Sequence, residues 1–319
     1  MLALLLPQLP DDILLLLFSY TDTQALGRLS QVCRRFQRLI GRDTLWRSIA
    51  KLSLNTGLTR LGRDAFPQIA LKERVKVSQN WKHGRCRQEV TLRWKCNLLP
   101  WLQLDKQWLY LSQASDIRAY PLSRNAIGLH RHPAAVYTGH QDDVCRFVVN
   151  EPHVVSGGGS VMTGTACCGH ASPLRIWDLQ SGQLETSLGS DFRRGAGVLD
   201  MVYESPSVVL TCGYDAYIRQ WDVRASTRRC VMEWEEPHDS ALYCLQTDGN
   251  FMIASGSSHY GVVRLWDKRQ SKSLQMFFLS CPSSSPVYCL RFTTSHLYAA
   301  LAYALYTLDF TSADSWLAK

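Results

Sequence analysis

Three Trp-Asp pairs recur along the C-terminal half of this chain at nearly constant spacing: Trp177-Asp178, Trp221-Asp222 and Trp266-Asp267. The steps between them are 44 and 45 residues. Each pair closes the same kind of strand-like phrase: Leu174-Arg175-Ile176-Trp177, Ile218-Arg219-Gln220-Trp221 and Val263-Arg264-Leu265-Trp266. A repeat of about 40–45 residues that ends in Trp-Asp on a β-pattern predicts propeller blades. The expected fold is therefore mainly β: a β-propeller of about five degenerate blades, incomplete in places. Propellers of this kind mostly serve as binding platforms, which argues against an enzyme.

The five expected units cover roughly residues 91–122, 136–180, 196–224, 238–268 and 286–311. The first is worn, with Tyr120 where a Trp would stand, and the last ends in Leu308-Asp309. In a well-formed blade of this kind a His, a strand Ser/Thr, a turn Asp and the Trp share one hydrogen-bond network, because a buried indole and imidazole need partners. Here the set is scattered. Thr211, Asp215 and Trp221 stand together without a Gly-His before them. His140 precedes Trp177, but Ala171 takes the Asp position. His238 and Ser255 precede Trp266, with Tyr260 at the Asp position. These residues are read as structural.

The second unit is too long. His238 to Trp266 is 28 residues, whereas His140 to Trp177 is 37. The surplus holds two consecutive strand-to-turn phrases, Val154-Val155-Ser156-Gly157-Gly158-Gly159 and Val161-Met162-Thr163-Gly164-Thr165. One blade needs one such phrase. The expectation is an internal deletion near Gly159–Ser160, such as a splice form would carry, joining the start of one blade to the end of another.

Ahead of the repeats, residues 7–50 have helical periodicity and predict three short helices. Pro10 suits a first helical turn, and Asp11 and Asp12 favour the same turn through the helix dipole. Ile13, Leu14, Leu17 and Phe18 form one apolar stripe. Asp22 or Thr23 caps a second helix carrying Leu26, Leu29, Val32, Cys33, Phe36, Leu39 and Ile40. Asp43 caps a third with Trp46, Ile49 and Ala50. So small a module cannot bury all of this apolar surface, and the remainder should seek a partner or the next domain. Residues 51–90 lack β-alternation and are expected to be a helical linker, punctuated by Gly57, Gly62 and Pro67. The repeat region then runs over 91–311.

The phrases Leu9-Pro10-Asp11-Asp12-Ile13-Leu14, Ala25-Leu26-Gly27-Arg28-Leu29, Gln31-Val32-Cys33-Arg34-Arg35-Phe36 and Leu45-Trp46-Arg47 hold their order and spacing without a gap. They resemble an F-box, and with the repeats the chain resembles the F-box and WD-repeat family along nearly its whole length. That resemblance implies a substrate receptor of an SCF-type ubiquitin ligase. Its partners would be a Skp-family adaptor, a cullin scaffold and a protein substrate held by the propeller. It also implies that Leu9, Pro10, Ile13, Leu14, Leu26, Val32, Cys33 and Trp46 are adaptor-contacting or module-core positions. Two other readings are a WD-repeat scaffold with no ubiquitin role and a shortened form that binds adaptor but no substrate.

Charge and composition agree with a folded, partner-binding protein. The net charge of +8 lies entirely in residues 1–90, with 15 Lys/Arg against 7 Asp/Glu, while the rest holds 20 of each. No interleaved aromatic platform accompanies it, so a nucleic-acid partner is disfavoured. The 11 cysteines include no Cys-x-x-Cys, and Cys212, Cys244 and Cys289 sit in apolar strand phrases. Buried, reduced thiols in the cytosol or nucleus are expected. Met1–Leu6 lacks a basic flank and Ile13–Phe18 is too short to span a bilayer, so no membrane partner is expected.

Arg118, Arg175, Arg219 and Arg264 each lie two residues before the Trp or its equivalent. A ring of Arg could grip phosphate, but strand parity places them beside the Trp as structural residues. Cys167-Cys168-Gly169-His170 lacks a second ligand pair, so no metal is expected. Glu233-Trp234-Glu235-Glu236 is read as an acidic inter-blade loop. No nucleophile–base pair, P-loop or paired-carboxylate motif is present, so neither catalytic residues nor a cofactor are assigned.

Overall fold

The computed structural model describes residues 8–59, 63–105, 107–122, 129–138, 160–164, 174–178, 184–189, 197–225, 229–238, 240–279 and 284–311. The chain divides into two compact units after Gln79.

The first unit is helical: α1 (Asp11–Ser19), α2 (Thr23–Leu29), α3 (Arg34–Ile40), α4 (Asp43–Leu52) and the start of α5 (Leu71–His83). The Asp22 side chain caps α2 by accepting from the Ala25 N–H at 2.7 Å. The single second helix expected from the apolar stripe is two helices. The chain leaves the helix after Leu29, and Cys33 turns extended, at φ −157°, so that its Sγ caps α3 from 3.5 Å. Asp43 does not cap the next helix. It is the first residue of α4, and its carboxylate accepts the Leu71 N–H at 3.0 Å instead.

The core of this unit is Leu14, Phe18, Leu26, Phe36, Leu39, Ile40, Trp46 and Ala50, joined by Leu58, Leu71 and Val75. Phe18 meets Phe36 edge-on at 5.2 Å, and the Trp46 indole donates to the Ile40 carbonyl at 2.6 Å. Residues expected to form a linker therefore pack inside the unit. Arg74, only 3% exposed, forks onto both Asp64 oxygens at 2.7 and 2.8 Å and also reaches the Thr56 carbonyl. Apolar residues at 54, 58, 71 and 75 have nowhere else to be buried.

Among the described residues the second unit is built of five antiparallel sheets. They are β2 (Leu102–Asp105), β3 (Trp108–Gln113), β4 (Asp116–Pro121) and β5 (Ala135–Tyr137); then β6 (Ser160–Gly164), β7 (Leu174–Asp178) and β8 (Leu184–Leu188). Next come β9 (Val198–Ser205), β10 (Val208–Gly213), β11 (Tyr217–Asp222) and β12 (Met232–Glu235), followed by β13 (Leu242–Thr247), β14 (Met252–Ser257), β15 (Val262–Asp267) and β16 (Ser273–Phe278). The last sheet is β17 (Val287–Phe292), β18 (His296–Leu301) and β19 (Ala304–Asp309), completed by β1 (Arg87–Arg93).

β1 thus differs from expectation. It opens no first blade but pairs with β19, from Arg87↔Asp309 to Arg93↔Ala304. This covers an edge that β19 would otherwise leave unpaired. Packing between sheets runs from β6 to β9, β9 to β13, β13 to β17 and β17 to β2. The final residues of α5 belong here: Trp81 stacks on Phe310 at 3.6 Å, and its indole donates to the Thr294 carbonyl at 2.8 Å.

Candidate functional site

On the helical unit, the residues singled out in sequence separate into two sets. Leu14, Leu26 and Trp46 are buried, α1 turning its Leu14 and Phe18 inward. Pro10 and Cys33 are exposed and Leu9 is half-buried. Ile13 is 41% exposed and Val32 65%. Three further apolar side chains on or beside α1 stand in solvent: Leu16 at 54%, Leu17 at 43% and Tyr20 at 83%. Leu17 belongs to the apolar stripe expected for this helix yet stands in solvent, and Leu16 and Tyr20 lie outside that stripe. The signal was present in the run of four leucines, Leu14–Leu17, which a single inward face of a helix cannot absorb. The entry to α1 is fixed by Arg35, whose guanidinium holds Asp11 at 2.6 Å and the Leu9 carbonyl at 2.6 Å. That hydrogen bond pulls the Asp11 carboxyl below its usual range.

In the sheets, the blade network is a two-residue pair. The Trp266 indole donates to Ser255 Oγ at 2.9 Å, and the Trp221 indole donates to Thr211 Oγ1 at 2.9 Å. All four residues are buried. The register is the same in each sheet: Ile253↔Trp266 with Ser255↔Arg264, and Val209↔Trp221 with Thr211↔Arg219. The same register sets Val161 opposite Trp177 and Thr163 opposite Arg175, although the Trp177 side chain lies outside the described residues. Where the Trp is replaced, its hydroxyl partner is replaced too. Tyr120 is matched by Leu111, and Leu308 by Ala299, at the equivalent positions.

The other expected members of the network stand elsewhere. His238 is exposed. Its neighbour Glu236 is the buried group, accepting the backbone N–H of His238 at 2.7 Å and of Ser240 at 3.2 Å and pairing with Arg264 at 2.6 Å. Asp215 does not join Trp221 but holds Arg219 at 2.5 Å. His140 lies outside the described residues.

The F-box-like family model matches residues 6–51, and the model of the WD domain, G-beta repeat, matches residues 228–267. The F-box/WD repeat-containing protein 4 of Mus musculus is 50% identical over 380 residues, covering 95% of this chain and 93% of that protein. Its Homo sapiens counterpart is 49% identical over 380 residues, covering 95% and 92%. The chain belongs to the F-box and WD-repeat family. The WD40 β-propeller domain of Doa1 aligns with a TM-score of 0.43 and 14% identity, over 66% of this chain and 77% of that one.

The alignment to the F-box/WD repeat-containing protein 4 sequences has an internal feature. It extends over 380 residues, whereas this chain has 319, so at least 61 positions of each relative have no counterpart in it.

Within this F-box and WD-repeat chain, three of the arginines beside the Trp positions are engaged, and the Arg175 side chain lies outside the described residues. Arg264 is 4% exposed and bound to Glu236. Arg219 is shared between Asp215 and Glu233, and Arg118 reaches Asp116 at 3.3 Å. The phrase expected to be an acidic loop is the outer strand β12. Trp234 within it is buried and donates to the Gln270 carbonyl at 2.9 Å, while Glu233 and Glu236 are spent on arginines. Cys167–His170 lies outside the described residues. Among the described residues no cluster of His, Cys, Asp and Glu is placed to hold a metal, and no helix is long and apolar enough to cross a membrane.

Proposed function

We propose that this chain is the substrate-recognition subunit of an SCF ubiquitin ligase. In this reading the F-box docks a Skp-family adaptor and through it a cullin, and the WD-repeat sheets hold a protein substrate for ubiquitination. The observation that carries the reading is the set of exposed apolar side chains Ile13, Leu16, Leu17 and Tyr20 on and beside α1, with Val32 exposed ahead of α3, on a module whose own core is already filled. Five large apolar groups in solvent are a docking surface that a partner of the same character would cover. Leu14, Leu26 and Trp46 serve this surface from beneath, as core. The chain carries no transfer chemistry in this scheme and contributes effective concentration.

The test is co-purification with a Skp-family adaptor, using wild type beside an Ile13→Asp, Val32→Asp variant. Both positions are exposed, so the variant should fold. Binding that is lost in the variant supports the docking face. A folded wild type that binds no adaptor removes the ligase reading and leaves a WD-repeat scaffold.

The second reading, a form shortened within its propeller, rests on the long alignment and the surplus phrase before β6. Thr163 keeps the register of Thr211 and Ser255, which supports grouping Val161–Gly164 with Trp177; Val154–Gly159 lies outside the described residues, and this reading assigns that phrase to a different blade from its sequence alone. This reading assigns the unmatched positions of the relatives to the junction between those two phrases. Transcript sequencing across codons 156–160 tests this. A single continuous form, with no longer transcript from the same locus, contradicts it.

A further inference from the structure

A cleft of ≈430 Å³ opens between β1, with the segment that follows it, and the sheet β2–β5. Its walls are Leu92, Trp94, Leu98 and Tyr120, and its charged lining is Arg93, Arg118 and Arg131, joined by His132. Among the described residues no carboxylate lines it. Arg93 and Arg131 are exposed, with no ion pair among the described residues. Arg118 shares one terminal nitrogen with Asp116, while its Nε is buried and has no hydrogen-bond partner among the described residues.

We propose that this cleft binds an acidic peptide segment of a partner protein, through two spaced carboxylates. One carboxylate pairs with the half-buried Arg118 guanidinium, whose own ion pair, to Asp116, is long at 3.3 Å. The other is held at the rim by Arg93 and Arg131, with His132 as a further polar contact. The cations stand at two depths, one half-buried and two exposed, which suits separate carboxylates better than one compact anion that needs several converging donors. Trp94 and Leu98 give the aliphatic part of the segment an apolar wall. The sheet arginines Arg219 and Arg264 are neutralised by their own carboxylates, so the positive potential of this cleft is not repeated there.

Fluorescence anisotropy with the purified full chain tests this directly. The probe is a fluorescein-labelled peptide of Gly and Ser carrying two Glu residues. A Gln-for-Glu peptide and a phosphoserine peptide run beside it. Saturable binding of the Glu peptide is expected. It should weaken about tenfold or more in Arg93→Glu, Arg131→Glu and fall with added salt, as exposed charge pairs do. The Gln peptide should not bind. Both substitutions lie at exposed sites, and an unchanged thermal melt confirms folding. The proposal is overturned if the Glu peptide fails to saturate, if the charge-reversed variant binds it equally, or if only the phosphoserine peptide binds. No adaptor is present in the assay, so its failure leaves the ligase reading standing.

Discussion

Trp266 and Ser255 sit on neighbouring strands of one sheet, with the indole nitrogen donating to the hydroxyl at 2.9 Å and both side chains out of solvent. Trp221 and Thr211 repeat the arrangement. A buried indole N–H that loses its acceptor bears the full desolvation penalty, about 1–3 kcal/mol. Ser255→Ala and Thr211→Ala should each lower stability by that amount in denaturant unfolding. Leu111→Ala and Ala299→Gly, which alter the equivalent positions opposite Tyr120 and Leu308, remove no indole acceptor. Their cost should follow lost volume alone. Equal stability of Ser255→Ala and wild type would show that the hydroxyl is dispensable.

This pair also marks how far the sequence could be read. The Trp-Asp period exposed the strands and their order, because strand parity and turn residues are local properties. The Ser255 and Thr211 partners were legible for the same reason, each lying 10 or 11 residues before its Trp. His238 and Asp215 were not. The buried acceptor in that loop is Glu236, which Arg264 draws in from a strand 28 residues away, and Asp215 is claimed by Arg219. Which of several polar neighbours wins a long-range partner depends on tertiary placement that periodicity does not encode. Likewise the apolar run of α1 was visible, but not the split that buries Leu14 and exposes Ile13 and Leu17. The pairing of β1 with β19 joins residues more than 200 positions apart and leaves no local trace.

Arg264 and Glu236 form a nearly solvent-free ion pair, 5% and 2% exposed on the side chains. Removing one member strands the other charge, a loss of about 3–5 kcal/mol. Arg264→Met should therefore be strongly destabilising. Arg264→Met combined with Glu236→Gln should recover part of the loss, since Gln keeps a carbonyl for the His238 and Ser240 N–H groups without a charge to bury. A double variant no more stable than Arg264→Met alone would show that packing, and not charge, sets the cost.

The first unit carries a pH dependence through Asp64 and Arg74. The fork of hydrogen bonds from Arg74, the largest cause, holds the Asp64 carboxyl below its ordinary value of 3.8. The folded state therefore binds this proton more weakly than the unfolded chain. Stabilisation from the pair is fully present above the unfolded value and is lost as pH falls through the folded one. Melting of wild type should drop more steeply below about pH 4 than melting of Asp64→Asn, in which that proton site is absent. Asp64→Asn should be less stable at pH 7, with the gap closing in acid. Parallel curves for the two proteins would remove Asp64 as the titrating group.

Three thiols tie successive sheets together. Cys212 donates to the Leu242 carbonyl at 3.3 Å, Cys244 to the Val287 carbonyl at 3.2 Å and Cys289 to the Leu102 carbonyl at 3.6 Å. Each thus leaves its own sheet and reaches the innermost strand of the next. Burial pushes the Cys212 and Cys244 thiols well above their ordinary range, and a thiol that does not ionise is a poor nucleophile. Cys33 and Cys96 are exposed and should be alkylated by iodoacetamide at neutral pH while Cys212, Cys244 and Cys289 stay protected, with peptide mapping assigning each site. Added denaturant should release all three together if the seams between sheets open as one cooperative unit. Release of Cys212 well before Cys289 would instead mean that the seam nearest β9–β12 opens alone, and that the sheets unfold in sequence from that end.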